Sequence, residues 1–310
     1  AKSGDFEKIP GSPIAYWCGE NFINTFIKGR PLGELAISRN GIKTGDNDSF
    51  LRLWWEIEFY KTKINALNVK EAIESKAIWY PYNKGGKAKK WFGNDEYMIN
   101  WESNGEKIIK NAKVDKRNVQ NYPDELKFSP AVSWSLITSS KSTFRYKKHN
   151  LNDIAGMSFY PKEKDLLYYL AFCNTPIALE ILRLIAPTIN LQSGDVGRLP
   201  IFFDENKKEE IDNKTIENIN ISKKDWDNFE TSWDFEVHPL LKYRENSDTI
   251  EKSFENWRTF AEDNFNKLWK NEEELNKIFL EIYDLSDEMS PEVEEKDVTV
   301  RKADLERDIK

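Results

Sequence analysis

From Ser253 onward, the apolar residues recur every three to four positions for about eight helical turns. The positions that keep this spacing are Phe254, Trp257, Phe260, Ala261, Phe265, Leu268, Leu275, Ile278, Phe279 and Ile282. The pattern predicts one long amphipathic helix. Periodicity alone leaves open whether it is a spacer in an antiparallel hairpin or an ordinary helix of a bundle.

Shorter patterns divide the rest of the chain. Residues 13–29 predict a helix that Gly29 can cap, and 165–186 predict two helices interrupted near Pro176. Aromatic and branched residues beside turn signals predict strands. These strands cover 50–57, 77–81, 97–101, 131–138 and, after a turn, the end of 139–146. Residues 204–224 are polar and indicate a linker. The predicted fold class is α+β, with short mixed strands followed by helices.

Charge is distributed unevenly over the 310 residues, although the net charge is only −7. Residues 76–148 hold 15 Lys and Arg against 7 Asp and Glu, a balance of +8. Residues 204–310 hold 17 against 31, a balance of −14. Because charges act over a Debye length of roughly 8 Å at physiological salt, the local balance matters more for binding than the net charge. A basic region in an acidic chain favours an anionic partner there.

The location is expected to be cytoplasmic. No apolar run reaches the roughly 20 residues of a membrane span, and the first residues lack the charged-then-apolar order of a signal peptide. Cys18 and Cys173 lie in apolar surroundings, which favours free buried thiols in a reducing compartment. The few histidines and cysteines have no metal-ligand spacing, so no metal site is expected.

One loop concentrates the basic charge. Residues 80–94, YPYNKGGKAKKWFGN, place four lysines and a Gly-Gly pair between aromatic clusters and contain no carboxylate. Ammonium groups can follow a phosphate chain, and glycines let the backbone approach it closely. The loop therefore predicts nucleic-acid binding, with a solvated lysine-rich face as the alternative.

Catalytic motifs are missing from the chain. It has no G-x-x-x-x-G-K-[ST] loop and no G-x-S-x-G elbow, and His149 and His238 stand alone. An adenine methyltransferase needs an N/D-P-P-Y/F/W loop and a glycine-rich loop for S-adenosylmethionine, and neither occurs here. This chain is expected to be non-catalytic by itself.

Four segments resemble a known family. They are KTGDNDSFLRLWWE (43–56), 79–108, SWSLITSSKSTFRY (133–146) and APTINLQSGDVGRLPI (186–201). Their order and spacing resemble the C-terminal half of bacterial adenine-specific DNA methyltransferases. The resemblance is to the phage-defence methylases of BREX systems (the PglX type) and their fused restriction–modification relatives. The last segment also resembles the end of recognition domains in restriction specificity subunits.

The resemblance implies a target-recognition region of a larger enzyme. It divides the chain into a lead-in from the catalytic core (1–30), a DNA target-recognition domain (31–203) and an acidic linker with a helical spacer (204–310). It further implies that the parent enzyme uses S-adenosylmethionine. The implied partners are double-stranded DNA, the catalytic domain of the same parent and other defence-system proteins.

Recognition of duplex DNA needs cations for phosphates and amides or guanidinium groups for base edges. The candidate phosphate contacts are Lys43, Lys84, Lys87, Lys89, Lys90, Lys147 and Lys148. The candidate base-edge contacts are Asn47, Asn83, Arg145 and Gln192. Each base-edge candidate except Asn47 has a structural alternative: a turn former for Asn83, a surface ion pair for Arg145 and a framework position for Gln192. Trp79, Tyr80, Trp91 and Trp101 are expected in the core rather than stacked on bases.

Two other functions are compatible with parts of the sequence. A carbohydrate-binding protein could use the 11 tryptophans and 12 tyrosines as stacking platforms. A protein-interaction scaffold could rest on the long helix. The interleaving of aromatic residues with lysines favours DNA, because neutral sugars do not need the charge.

Overall fold

The computed structural model describes residues 9–12, 18–115, 119–137, 141–244 and 249–308. It has an α+β fold, as the sequence predicts. The strands are β1 Arg30–Pro31, β2 Ala36–Arg39, β3 Leu51–Leu53, β4 Trp79–Asn83, β5 Tyr97–Asn100, β6 Ala131–Ser135, β7 Phe144–Lys147, β8 Leu151–Asn152, β9 Gly156–Pro161 and β10 Pro200–Ile201. The helices are α1 Glu20–Lys28, α2 Leu32–Leu35, α3 Asn47–Phe50, α4 Val69–Ser75, α5 Glu102–Asp115, α6 Leu166–Cys173, α7 Pro176–Ile185, α8 Ser193–Gly197, α9 Glu205–Asp227, α10 Pro239–Lys242, α11 Ile250–Tyr283 and α12 Leu305–Asp308.

Two small sheets carry most of the strands. One is antiparallel with the order β2-β9-β6-β7, and the other has the order β3-β5-β4-β8, in which only β4 and β8 run parallel. β8 and β9 follow each other along the chain, so the two sheets meet where β8 ends and β9 begins. This junction positions the candidate site.

Most strand predictions are confirmed. The segment 97–101 contains β5 and 131–138 contains β6, although residues 138–140 lie outside the described ranges, and 77–81 overlaps β4, which begins at Trp79 and continues to Asn83. In 50–57 the strand is limited to β3. The backbone N–H of Trp54 still donates to the carbonyl of Glu96, but the Glu56 carboxylate accepts from the N–H of Leu53 and turns Trp54–Glu56 into a 3₁₀ helix.

The predicted helices also agree with the structure, apart from their exact ends. The long helix is α11, which begins after the cap Thr249 and ends at Asp284 in a left-handed conformation. The break near Pro176 separates α6 from α7, and the Thr175 hydroxyl accepts from the N–H of Ala178 to cap the second helix. α1 ends at Gly29 as predicted, whereas residues 13–17 lie outside the described part of the chain.

The predicted linker at 204–224 is wrong. This segment forms α9, a helix of 23 residues capped by the Asp204 side chain. Its buried face includes Thr215, Asn218 and Ser222 beside Ile211. Because half of the inward positions are polar, the apolar repeat that would have revealed a helix is interrupted.

Two hydrophobic cores support the sheets. The larger one joins Trp134 of β6 and Phe172 of α6 to Phe279 of α11, and thus connects the predicted regions 31–203 and 204–310. The smaller one lies against the β3-β5-β4-β8 sheet and contains Tyr80 and Trp101. Tyr80, Trp91 and Trp101 are core residues as expected, and Trp79 is half-buried. No helix within the described ranges has the length and apolarity needed to cross a membrane.

Candidate nucleic-acid interface

Five segments converge where the two sheets meet, and we call residues 40–47, 83–87, 135–137, 153–155 and 190–193 the loop cluster. Backbone hydrogen bonds connect them in series. The N–H of Ile42 donates to the carbonyl of Asn152 at 2.6 Å, and the N–H of Asp153 donates to that of Asn83 at 2.9 Å. The N–H of Leu136 then donates to the carbonyl of Ala155 at 2.9 Å.

The chain returns to the loop cluster after α7. The N–H of Leu191 donates to the carbonyl of Leu136 at 2.8 Å, and the Ser193 hydroxyl lies 3.4 Å from the side-chain oxygen of Asn40. The cluster therefore joins residues more than 150 positions apart in the sequence, since Asn40 and Ser193 are separated by 153.

Glycines allow the backbones to approach this closely. A Cβ atom at Gly41 would lie 2.0 Å from the carbonyl oxygen of Asn152, and one at Gly156 would lie 2.2 Å from that of Asn83. Only glycine fits such contacts without moving a neighbouring backbone. These two positions hold the edges of the sheets together.

Asn83, predicted to read a base edge, lies beneath this surface. It is 0% exposed, and its side-chain amide donates to the Ser133 hydroxyl at 2.6 Å and to the side-chain oxygen of Asn152 at 2.8 Å. The amide of Asn152 in turn donates to the Tyr160 hydroxyl at 2.7 Å. A fully buried amide with internal partners cannot reach DNA, so the structure assigns Asn83 to the framework.

Besides the buried Asn83, five of the predicted contacts belong to the segments of the loop cluster. Asn47, Lys87 and Gln192 are exposed, and Lys43 and Lys84 are half-buried. Their roles in binding stay predictions, but the fold brings the segments that carry them together.

Three of these five residues also have a local structural role. Asn47 accepts a hydrogen bond from the Thr44 hydroxyl at 2.7 Å, and Lys84 Nζ lies 3.6 Å from Asp153. Gln192 is the N-cap residue of α8, so its position is also the framework position that the sequence offered as an alternative.

The other half of the basic loop points elsewhere. Lys89 Nζ lies 3.3 Å from Asp225 of α9 and donates to the carbonyl of Thr299 at 2.7 Å. Lys90 is 8% exposed, and its Nζ lies 2.5 Å from Glu272 of α11. Burial lowers the pKa of Lys89 and raises the pKa of Asp225. The sequence predicts both lysines as phosphate contacts, but the structure pairs them with carboxylates of α9 and α11.

Lys147 and Arg145 are also internal. Lys147 Nζ forms an ion pair with Asp95 and donates to the carbonyl of Gly93 at 2.8 Å, and burial lowers its pKa. Arg145 is 0% exposed, and burial lowers its pKa to about 10.

The guanidinium of Arg145 donates to the Ser135 hydroxyl at 3.2 Å and to the carbonyl of Lys89 at 3.4 Å. Arg145 is therefore neither exposed for a base contact nor part of a surface ion pair. The physical reason is that the basic loop folds over β7: the N–H of Trp91 donates to the carbonyl of Phe144, and the N–H of Tyr146 to that of Trp91.

Lys148 is exposed but lies apart from the cluster. It follows Lys147, which pairs with Ala131 at the start of β6, whereas the cluster lies beyond Ser135 at the end of β6. The predicted cations thus occupy three places: the loop cluster, the contact with the acidic helices and the opposite end of the sheet.

Sequence reasoning missed two members of the cluster, Asn40 and Ser193. Both stand in turn-rich stretches, where polar residues are common, and only the tertiary contact at 3.4 Å distinguishes them. The described residues contain no group of three or more side chains suited to hold a metal ion.

Comparison with known proteins agrees with the resemblance seen in the sequence. The adenine-specific methyltransferase PglX of Lacticaseibacillus casei (strain Zhang) is 40% identical over 318 aligned positions, which span all of this chain and 26% of that protein. The chain thus matches one part of a PglX-type adenine-specific methyltransferase. The adenine-specific methyltransferase BrxX of Escherichia coli O9:H4 (strain HS) is 36% identical over 283 positions, or 90% of this chain and 22% of BrxX. The chain therefore spans about a quarter of the length of these PglX-type relatives. No protein-family model matches it.

Proposed function

We propose that this chain is the target-recognition part of an adenine-specific DNA methyltransferase and that it binds duplex DNA through the loop cluster. The observation that carries the proposal is that backbone hydrogen bonds join the segments in which Lys43, Asn47, Lys84, Lys87 and Gln192 stand. The similarity of the whole of this chain to one part of an adenine-specific methyltransferase supports the enzyme class of the parent. Such a role belongs in the cytoplasm, where the DNA lies.

The residue types suit the two tasks of recognition. The three lysines can neutralise phosphates, and the two amides can pair with base edges, most favourably with adenine. The nearby carboxylate of Asp153 does not oppose this, because it is 5% exposed and accepts from the Tyr82 hydroxyl at 2.8 Å. The other carboxylate of the cluster, Asp46, accepts from the backbone N–H and the hydroxyl of Ser49. Three lysines therefore stand against two carboxylates that both have partners within the protein.

Methyl transfer is assigned to a part of the parent outside this chain. S-adenosylmethionine would supply the methyl group there. The Gly85-Gly86 pair of the basic loop does not form an open cradle for it, because Gly85 packs against Ala155 and Gly86 against Asn94. The catalytic domain, and other defence-system proteins, are the partners that this proposal implies.

A pair of lysine substitutions tests the proposal. Lys43→Gln with Lys87→Gln removes two cations from the loop cluster, and the matched control is Lys162→Gln with Lys164→Gln. Both control lysines are exposed and follow Pro161, at the end of β9 opposite Gly156. The measurement is the affinity for a mixed-sequence duplex, by fluorescence anisotropy, over a series of salt concentrations.

The parental chain should lose affinity steeply with salt. The slope of log affinity against log salt should become shallower by about 2 in the cluster variant, because each phosphate contact contributes about 0.9. The control variant should keep the parental slope. Equal losses in both variants, or an affinity that does not depend on salt, would contradict the proposal.

Base reading needs a separate experiment. Asn47→Ala and Gln192→Ala should each relax the preference at one base pair in a selection from a randomised duplex library. A bidentate amide contact discriminates by about 1–3 kcal/mol, so the change should be visible as a loss of one conserved position. A set of selected sequences identical to the parental set would remove these two residues from the proposal.

The alternative functions receive less support from the fold. Five tryptophans are buried and cannot serve as sugar platforms: Trp91, Trp101, Trp134, Trp226 and Trp257. The apolar stripe of α11 is buried in the cores rather than offered to a partner.

A further inference from the structure

The basic loop is built of two halves with different neighbours. Its outer half, residues 84–87, belongs to the loop cluster, and its inner half, residues 89–93, is bound to α9, α11 and the segment 299–301. Only one residue separates Lys87, which is exposed, from Lys89, which is largely enclosed. Whatever fixes the inner half therefore also limits where Lys87 can lie.

Glu272 of α11 holds the inner half by both of its carboxylate oxygens. Oε2 lies 2.5 Å from Lys90 Nζ, and Oε1 accepts from Trp91 Nε1 at 2.7 Å. The Glu272 side chain is 2% exposed and that of Lys90 is 10% exposed. Two consecutive loop residues are thus bound to one buried side chain on a different element.

Further contacts set the direction of the loop at this point. The backbone N–H of Lys90 donates to the Thr299 hydroxyl at 3.0 Å, and the backbone of Trp91 is bonded to β7 on both sides. The outer half has separate contacts. Lys84 directly follows β4, and its Nζ lies 3.6 Å from Asp153. The Ser135 hydroxyl donates to the carbonyl of Gly86 at 3.0 Å, and the side chain of Asn94 donates to the carbonyl of Lys87 at 2.9 Å. Asp153 and β4 thus fix Lys84, whereas Lys87 adjoins the inner half.

We propose that Glu272 is a positioning residue for DNA binding, which orients the basic loop so that Lys87 faces the duplex. The proposal rests on the function proposed above, because it assumes that the loop cluster is the DNA-binding surface. Glu272 itself does not touch DNA. Removal of its carboxylate should lower affinity through Lys87, which it orients.

The test compares Glu272→Gln with Glu274→Gln. Gln keeps an oxygen for Trp91 but leaves the buried ammonium of Lys90 without a counter-charge, which is a costly arrangement. Glu274 lies on the same helix, and its side chain is 39% exposed and paired with Lys214, so it is the matched control. Affinity is measured against salt on the mixed-sequence duplex, well below the unfolding midpoint of each variant.

Glu272→Gln should make the salt slope shallower by up to about 1, the share of Lys87, whereas Glu274→Gln should leave it unchanged. Adding Lys90→Met to Glu272→Gln removes the unpaired ammonium and should restore the parental slope. A purely structural role would lower the unfolding midpoint of Glu272→Gln and leave the slope of the folded protein at the parental value.

Hydrogen exchange of the free protein gives a readout that does not depend on DNA. Amides of residues 85–93 should exchange faster in Glu272→Gln and return to the parental rate in the double variant. Thr299→Val, which removes the bond to the N–H of Lys90 and leaves no buried charge, should show the same changes to a smaller extent. Thr299→Val takes the place of Glu272→Gln in both measurements if Glu272→Gln does not fold.

Failure of this inference and failure of the proposed function look different. Parental affinity and slope in Glu272→Gln or Thr299→Val, with weakened binding in the Lys43 and Lys87 variant, would overturn the role of Glu272 alone. A parental chain that binds no duplex would overturn the proposed function and, with it, the role of Glu272 in binding.

Discussion

The assignment of Asn83 to the framework can be tested by replacing it with Ala and with Asp. Its amide nitrogen has two hydrogens, and the two shortest contacts, to Ser133 at 2.6 Å and to Asn152 at 2.8 Å, account for them. Asn83→Ala removes both donors. Asn83→Asp keeps the shape of the side chain but turns the donor into a second acceptor that faces other acceptors.

The magnitude follows from what remains unpaired. The Ser133 hydroxyl keeps its own donated bond to the carbonyl of Met157 at 2.8 Å, so the loss falls mainly on the buried oxygen of Asn152. An orphaned buried acceptor costs about 1–3 kcal/mol, and the lost bond to the hydroxyl adds about 1 kcal/mol. Asn83→Ala should therefore lower the free energy of unfolding by about 2–4 kcal/mol.

The Asp variant adds a dependence on pH. Burial among acceptors favours the protonated carboxyl, so its pKa in the folded state lies above that in the unfolded chain. The folded state then holds more protons, and stability falls as pH rises, by about 1.4 kcal/mol per unit between the two pKa values. Below the unfolded-state pKa, near 4, this penalty is absent.

Urea denaturation followed by tryptophan fluorescence, at pH 5 and pH 7, measures both effects. Asn65→Ala is the control, since Asn65 is exposed and should change stability by no more than about 0.5 kcal/mol. The reasoning is refuted if Asn83→Ala is as stable as the control and changes the DNA preference at one base pair. That pair of results would mean that Asn83 reads DNA.

Two further predictions concern packing and thiol chemistry. Gly41→Ala should lower the free energy of unfolding by about 1–3 kcal/mol, because the new Cβ would lie 2.0 Å from the Asn152 carbonyl oxygen. The control Gly194→Ala, whose Cβ would have no atom within 4 Å, should be neutral or stabilising by up to about 1 kcal/mol. Equal thermal unfolding midpoints of the two variants would contradict the close contact at Gly41. Burial raises the pKa of both thiols. In the native protein, the buried Cys173 should not react with a thiol reagent. The half-buried Cys18 should react slowly, and its rate should still increase above pH 9, because the reactive thiolate forms only at high pH. Two reactive thiols without denaturant would show that Cys173 is accessible.

Local patterns in the sequence were sufficient for most regular elements. The spacing of apolar residues predicted α11, and the aromatic segments on either side of the basic loop predicted β4 and β5. These signals are reliable because they depend on neighbours within a few residues. α9 escaped because its buried face carries the polar residues Asn218 and Ser222, and the hydrogen bond that the Asn218 side-chain oxygen accepts comes from Asn271, 53 positions further along the chain.

The candidate site was decided by the tertiary structure. The sequence identified a basic loop, but nothing local distinguishes Lys87, which is exposed, from Lys90, whose partner Glu272 lies 182 positions further along the chain. Whether a lysine meets solvent or a buried carboxylate depends on which distant helix packs against its loop. The sequence by itself thus determined that positive charge and aromatic rings would be concentrated in one segment. Folding determined which of those charges remain free to bind, because a buried ammonium must be paired within the protein.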